Sequence, residues 1–156
     1  ECLPPDDYNG YAQLKRDVGG GMTTLITTGE HEYTRYGFRA LLEKDCCDVL
    51  QPDITWCGGI TEARRIVALA SAYDKSVVPH GSSVYSYHLQ ICFPNCPLAE
   101  FLVMSPKADE ICSFFGNLFL DEPLPEKGYV SLDPNKPGFG VELNRQALNL
   151  KRPYVR

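Results

Sequence analysis

His80 lies in the stretch Ser76-Val-Val-Pro-His-Gly-Ser-Ser-Val-Tyr-Ser-Tyr-His88. The β-prone residues Ser76, Val77 and Val78 read as a short buried strand, and Pro79 stops it. After Gly81, Ser82 and Ser83 stand before an amphipathic run, the position of a helix N-cap. That run places Val84, Tyr87, His88 and Ile91 on one helical face. His80 therefore sits where a strand hands over to a helix. In a parallel β/α protein, reacting groups lie outside the carboxyl ends of the strands. Imidazole is also the side chain suited to moving protons near neutral pH. A histidine in a turn is equally what a plain surface or capping residue looks like, so His80 by itself decides nothing.

Three other polar residues hold comparable places. Glu30, Asp53, His80 and Glu100 follow one another at intervals of 23, 27 and 20 residues, each in or just after a β-prone stretch. A carboxylate at a strand end can bind a hard cation. An aspartate one strand away from a histidine can orient the imidazole and raise its basicity. A last carboxylate, if protonated, can donate to a developing oxyanion. Each has a plainer reading. Asp53 after Gln51-Pro52 suits a turn, Glu30 suits a helix cap, and Glu100 suits an inward charge paired with a lysine. Four such residues at successive strand ends favour a site over four separate accidents.

The elements that must position them follow from periodicity. Residues 1–5 read as a strand exit and residues 7–18 as a helix, with Tyr11, Leu14 and Val18 on one face behind the acidic Asp6-Asp7. Gly19-Gly20-Gly21 ends that helix. Met22 to Thr28 is a predicted strand. Thr34 is placed to cap a second helix carrying Phe38, Leu41 and Leu42. Cys47–Leu50 is the next strand, and Thr61 to about Tyr73 the next helix, with Ala63, Ile66, Val67 and Ala70 inward. The 76–79 strand, an 83–92 helix and a strand from Leu98 to Val103 complete the alternation. Such β/α alternation predicts an α/β fold with a parallel sheet and right-handed crossovers. After Pro106, prolines and glycines break the rhythm. Tyr129–Leu132 and Gly140–Leu143 can be short strands of a return segment.

Composition sets bounds. The 156 residues suffice for one domain with a core, and the apolar content is 44%. The net charge of −5 offers no footprint for nucleic acid or for an anionic membrane. No stretch approaches the ~18 apolar residues of a membrane span, and no signal peptide is visible. Seven cysteines include no Cys-x-x-Cys pair, so a structural zinc site lacks its usual spacing. They read as free thiols of a cytoplasmic protein. His88 falls on an apolar helix face and reads as a core or boundary residue. Trp56 can cover a pocket mouth or simply pack, and Gly58-Gly59 reads as a turn.

Several strings together resemble a known family. They are Thr28-Gly-Glu-His31, Gln51-Pro-Asp53, Trp56-Cys-Gly-Gly59, Val78-Pro-His-Gly-Ser-Ser-Val-Tyr-Ser86, Ala99-Glu-Phe101 and Lys136-Pro-Gly-Phe-Gly-Val-Glu-Leu143. The resemblance is to the mandelate racemase branch of the enolase superfamily, and within it to the L-rhamnonate dehydratases. It extends over nearly the whole chain. It implies the C-terminal half of a TIM-type (β/α) barrel, strands five to eight, over residues 1–105. Residues 106–156 would form the last helical and loop region and a return segment that packs on an N-terminal lid domain.

The resemblance also implies roles. Glu30 matches a carboxylate ligand of Mg²⁺, and His31 beside it a position facing the substrate. Asp53 and His80 match an Asp-His dyad, with His80 the base. Glu100 matches an acid that hydrogen-bonds the enolate. Mg²⁺ is the implied cofactor and a six-carbon acid sugar the implied substrate. The family pattern has a pair of glutamates before Cys2-Leu-Pro-Pro5, with the metal ligand first; Glu1 matches the second. An earlier aspartate ligand has no match either. The expected partners are therefore the missing N-terminal half or another chain, or a homo-oligomer, with no nucleic acid and no membrane. The alternatives are a truncated remnant without catalysis and another dehydratase or racemase on the same scaffold.

Overall fold

The computed structural model describes residues 1–19 and 24–146. The expected helix end at Gly20-Gly21, the strand start at Met22-Thr23 and the tail from residue 147 lie outside the described residues. Among the described residues, those up to Glu100 pack as one unit and those from Phe101 onward as a second.

The first unit alternates helices with short strands. They are α1 (Tyr8–Gly19), β1 (Thr27–Thr28), α2 (Thr34–Glu43), β2 (Val49–Leu50), α3 (Gly59–Ser71), β3 (Ser76–Val77) and α4 (Val84–Cys92). The strands form a parallel sheet in the order β1-β2-β3. Thr28 lies level with Leu50, and Leu50 with Val77. A further parallel bridge joins Asp53 to His80 beyond the strands. Parallel neighbours need a crossover, and the amphipathic helices supply it.

The core lies between the sheet and the helices. Phe38 and Leu41 of α2, Ile66 and Val67 of α3, and Leu50 and Val77 of the sheet are all buried. Burying each large side chain is favourable by ~1.5–3 kcal/mol relative to exposure. Ala63 and Ala70 complete the inner face of α3. Cys46, Cys47, Cys57 and Cys96 are buried free thiols, Cys2 and Cys92 are exposed, and Cys112 is half-buried. Burial pushes the Cys47 thiol up to about 12, so it packs as a small apolar group.

The helix starts use different devices. At α1 the Asp7 carboxylate accepts from the amide of Gly10 at 2.9 Å, a side-chain cap. At α2 the expected cap, Thr34, is itself the first helical residue and has a positive φ of 58°. The open amide of Arg35 instead donates to Glu62 of α3 at 2.9 Å. Glu62 also receives the Arg35 guanidinium at 2.7 and 2.9 Å and that of Arg65 at 3.0 Å. One carboxylate thus caps a neighbouring helix and ties α2 to α3. Ser83 precedes α4 in the cap position but makes no side-chain cap bond. Ile91, expected on the inward face, is exposed.

Residues 98–103, expected as a strand, form no ladder. The outer edge of β3 is occupied otherwise: the Val77 amide donates to the carbonyl of Asn95 at 2.8 Å. The Asn95 side-chain amide in turn donates to the carbonyls of Val67 and Lys75. The loop after α4 therefore closes the edge before residue 98 is reached. The second unit holds an antiparallel pair, β4 (Phe119–Leu120) with β5 (Glu142–Leu143). The 140–143 segment is thus partly a strand, whereas 129–132 contributes only an isolated bridge from Tyr129 to Glu126. No helix among the described residues is long and apolar enough to cross a membrane.

Glu62 yields a pH test. The amide of Arg35, with the Arg35 and Arg65 guanidinium groups, holds the Glu62 carboxyl below the usual carboxylate range. A depressed folded-state pKa contributes stability that is present above the unfolded value and lost as pH falls through the folded one. Glu62→Gln should lower the melting temperature at pH 7, and the gap to the parent should narrow as the pH is lowered below the carboxylate range. A gap independent of pH in thermal melts would refute the charged cap.

Candidate active site

The carboxyl end of the parallel sheet gathers the ionisable groups. Glu30 follows β1 by two residues, Asp53 follows β2 by three, and His80 follows β3 by three. Gly29 turns the chain between β1 and Glu30 with φ of 123°, in the region that favours glycine. The amide of His80 donates to the carbonyl of Pro52 at 2.9 Å, which continues the sheet register into the loops.

At this edge His80 Nδ1 lies 2.7 Å from Glu100 Oε2 and 3.3 Å from Glu30 Oε2. The ring nitrogen makes no aligned hydrogen bond to either, so both are ion-pair contacts. Glu30 also faces His31, whose Nδ1 lies 3.4 Å from Glu30 Oε1 and 2.9 Å from Glu1 Oε2. The five groups form a chain in which carboxylates and imidazoles alternate: Glu1, His31, Glu30, His80, Glu100. The hydrogen bond with Glu1 raises the pKa of His31, the largest influence on it.

Glu100 reaches the site without a strand of its own. Its Oε1 accepts from the side-chain amide of Gln51 at 2.9 Å and its Oε2 from the amide of Gly81 at 2.7 Å. Both carboxylate oxygens of Glu100 are thus anchored by donors.

Asp53 is placed differently from the expected dyad. Its Oδ1 accepts from the Thr55 amide, the Thr55 hydroxyl and the Ser82 hydroxyl, each at 2.7 Å. Its backbone bridges to His80, but the contact to the His80 ring comes from Glu100 and Glu30. The reason is local: an aspartate two residues before a threonine closes an Asx-type turn on its own chain.

His31 is exposed and sits under Trp56. The indole N–H donates to the His31 carbonyl at 3.0 Å, and the two rings meet edge to face at 5.7 Å between centroids. Of the two readings of Trp56, cover or packing, this geometry favours cover at the edge of the cluster. The structure adds Glu1, Gln51 and Ser82 to the candidate residues. Gln51 and Ser82 lie within the Gln-Pro-Asp and His-Gly-Ser-Ser strings, but only tertiary contacts reveal their roles.

The donor set can be tested against a cation. The ligand atoms of Glu1, Glu30 and His31 all lie within 4.8 Å of one another. Among the described residues, neither a lysine nor an arginine pairs with Glu1, Glu30 or Glu100. Two hard carboxylates without a lysine or arginine partner fit a hard divalent cation, with water or substrate oxygens filling the remaining positions.

Comparison with known proteins places this geometry. Residues 1–147 match the family of enolase C-terminal domain-like proteins. The chain belongs to that family. Among solved structures it is similar to L-rhamnonate dehydratase from Gibberella zeae, at 51% identity and a TM-score of 0.86 over 94% of this chain. It is also similar to the 3,6-anhydro-D-galactonate cycloisomerase from Zobellia galactanivorans, at 33% identity and a TM-score of 0.73 over 92% of this chain. A third relative is L-talarate dehydratase from Polaromonas sp. JS666, complexed with Mg and L-glucarate, at 27% identity and a TM-score of 0.75 over 94% of this chain. The chain spans 37%, 39% and 37% of the lengths of these three relatives. Enolase-superfamily dehydratases are therefore prominent among its relatives.

Gly29 provides a local test of the site. A Cβ there would approach Phe38 Cε1 to 2.8 Å, on a backbone that L-residues rarely adopt. Gly29→Ala should destabilise the fold by ~1–3 kcal/mol and disturb the NMR resonances of Glu30 and His31. A variant of parental stability with unmoved resonances would show that this turn does not fix the cluster.

Proposed function

We propose that this chain carries the proton-abstracting part of an Mg²⁺-dependent acid-sugar dehydratase, with L-rhamnonate as substrate. On this reading β1, β2 and β3 take the places of strands five, six and seven of a TIM-type barrel, and Glu100 that of the eighth strand's residue. The observation that carries the proposal is the His80 imidazole between two carboxylates at the end of a parallel sheet. Similarity to an L-rhamnonate dehydratase at 51% identity supports the substrate.

The chain's residues suit each step. Neutral His80 takes the proton from the carbon next to the substrate carboxylate. The imidazolium that forms lies 2.7 Å from Glu100 and 3.3 Å from Glu30, so two negative charges stabilise it as it appears. The bond from the β-carbon to its hydroxyl then breaks, and that oxygen leaves as water with the proton returned from His80. The resulting enol ketonises to a 2-keto-3-deoxy acid. Glu30 would hold Mg²⁺, with the Glu1 carboxylate nearby, and His31 with Trp56 would line the substrate side. Mg²⁺, when bound, supplies charge to clamp the carboxylate and to stabilise the enediolate. Cytoplasmic placement accords with the free thiols, and a complementary N-terminal half is the proposed partner.

The test is formation of 2-keto-3-deoxy product from L-rhamnonate by this chain mixed with the complementary N-terminal part of an L-rhamnonate dehydratase. Activity should need Mg²⁺ and vanish with chelator. His80→Asn should lower turnover by ~10²–10⁴-fold with assembly intact, because it keeps the size and removes the base. Full activity in that variant would overturn the mechanism. Calorimetry on this chain alone should show only weak Mg²⁺ binding, since two carboxylates make a poor octahedral cage. Micromolar affinity would contradict that.

A further inference from the structure

Glu32 closes the turn that carries Glu30 and His31. Its amide donates to the Gly29 carbonyl at 3.0 Å, so Glu30 and His31 are the two central residues of a β-turn. The Glu32 side chain fastens that turn a second time. Its Oε1 accepts from the Tyr33 amide at 2.7 Å, and its Oε2 from the Tyr8 hydroxyl at 2.5 Å. Tyr8 is the first residue of α1, and its carbonyl accepts from the Sγ of the buried Cys46 at 3.2 Å. The turn after β1 is thereby tied to a helix that is itself anchored in the core.

The carboxylate also has a seat. A Cβ at Gly37 of α2 would collide with Glu32 Oε1 and Cδ. Glycine weakens a helix interior relative to alanine, and here the missing side chain makes room for Glu32. Burial, and then the bond to Glu32, push the Tyr8 phenol up to about 12, so it keeps its proton and remains a donor. Both donors to Glu32 are neutral, so they fix the turn without a positive charge that would compete with a metal for Glu30. We propose that Glu32 is a positioning residue of the metal-binding turn: Tyr8 and the notch at Gly37 hold its carboxylate, and Glu32 holds Glu30 and His31 at the sheet end. The inference rests on the reading of Glu30 as the Mg²⁺ ligand.

Three variants undo this clamp by different routes. Glu32→Ala deletes the carboxylate, and Tyr8→Phe deletes one donor. Gly37→Ala fills the seat while improving the helix propensity of α2, so its effect does not come from a weakened helix. In NMR spectra of the chain, the Glu30 and His31 amides should move in all three. Lys44→Ala is the control. It breaks another tie between α1 and the end of α2, from Lys44 Nζ to Asn9 at 2.8 Å, and should leave both amides in place. The second readout uses the chain reassembled with the N-terminal part of an L-rhamnonate dehydratase. There Glu32→Ala should raise the Mg²⁺ concentration for half-maximal turnover by ~10–100-fold. Turnover at saturating Mg²⁺ should fall less, since His80 and Glu100 are untouched. Glu32→Gln, which keeps one acceptor oxygen for Tyr8, should recover part of the loss. Unmoved Glu30 and His31 amides in Glu32→Ala and Tyr8→Phe would overturn the proposal, as would equal movement in Lys44→Ala. An unchanged Mg²⁺ requirement in Glu32→Ala would overturn it too. Absence of Mg²⁺-dependent turnover in the unmutated pair would instead strike the dehydratase reading, with the amide shifts still deciding the clamp.

Discussion

The parallel register of β1, β2 and β3 is the constraint from which the site follows. Thr28, Leu50 and Val77 lie level, so the residues two or three positions beyond them emerge side by side. A parallel sheet alone does not hold such short strands in register, since each contributes only two residues. The register is held from the helices, by Phe38, Ile66 and Val67 against Leu50 and Val77, and from the loops, by the Asp53–His80 bridge. A shift of one residue would turn Leu50 and Val77 away from the core. Correct packing and correct placement of His80 are in this sense the same event.

Charge is the second constraint. Three carboxylates gather at the sheet end, and only two imidazoles stand between them. Elsewhere the molecule pairs its acids with lysine or arginine: Asp45 and Asp48 with Lys15, Glu62 with Arg35 and Arg65. Apart from Glu62–Arg65 within α3, each of those pairs ties separate stretches of the chain together. The sheet-end acids Glu1, Glu30 and Glu100 instead meet imidazoles.

Much of this was legible in the sequence, because the relevant signals are local. The periodicity of Phe38, Leu41 and Leu42, and of Ala63, Ile66, Val67 and Ala70, places two helices on the sheet. Pro52 and Pro79 mark where the strands stop, and hence which residues project beyond them. What failed was whatever depends on a distant partner. Residues 98–103 have the β-propensity of a strand, but the edge they would pair with is occupied by Asn95. Thr34 has the chemistry of a cap, but Glu62 supplies the acceptor from another helix. Asp53 and His80 are bridged through their backbones, while the Thr55 and Ser82 partners of the Asp53 carboxylate show only in the folded chain.

Glu100 shows that a side chain can be delivered to a site without a ladder. Two donors from different sheet connections, the Gln51 amide and the Gly81 backbone, fix its two oxygens. Two anchored oxygens leave a carboxylate little rotational freedom, so the segment before it need not be regular. Both donors also sit close to candidate site residues: Gln51 lies two residues before Asp53, and Gly81 follows His80. Displacing either turn would therefore shift the carboxylate together with the imidazole it faces. The spacing of His80 and Glu100 is thus maintained by shared attachment to the Gly81 turn.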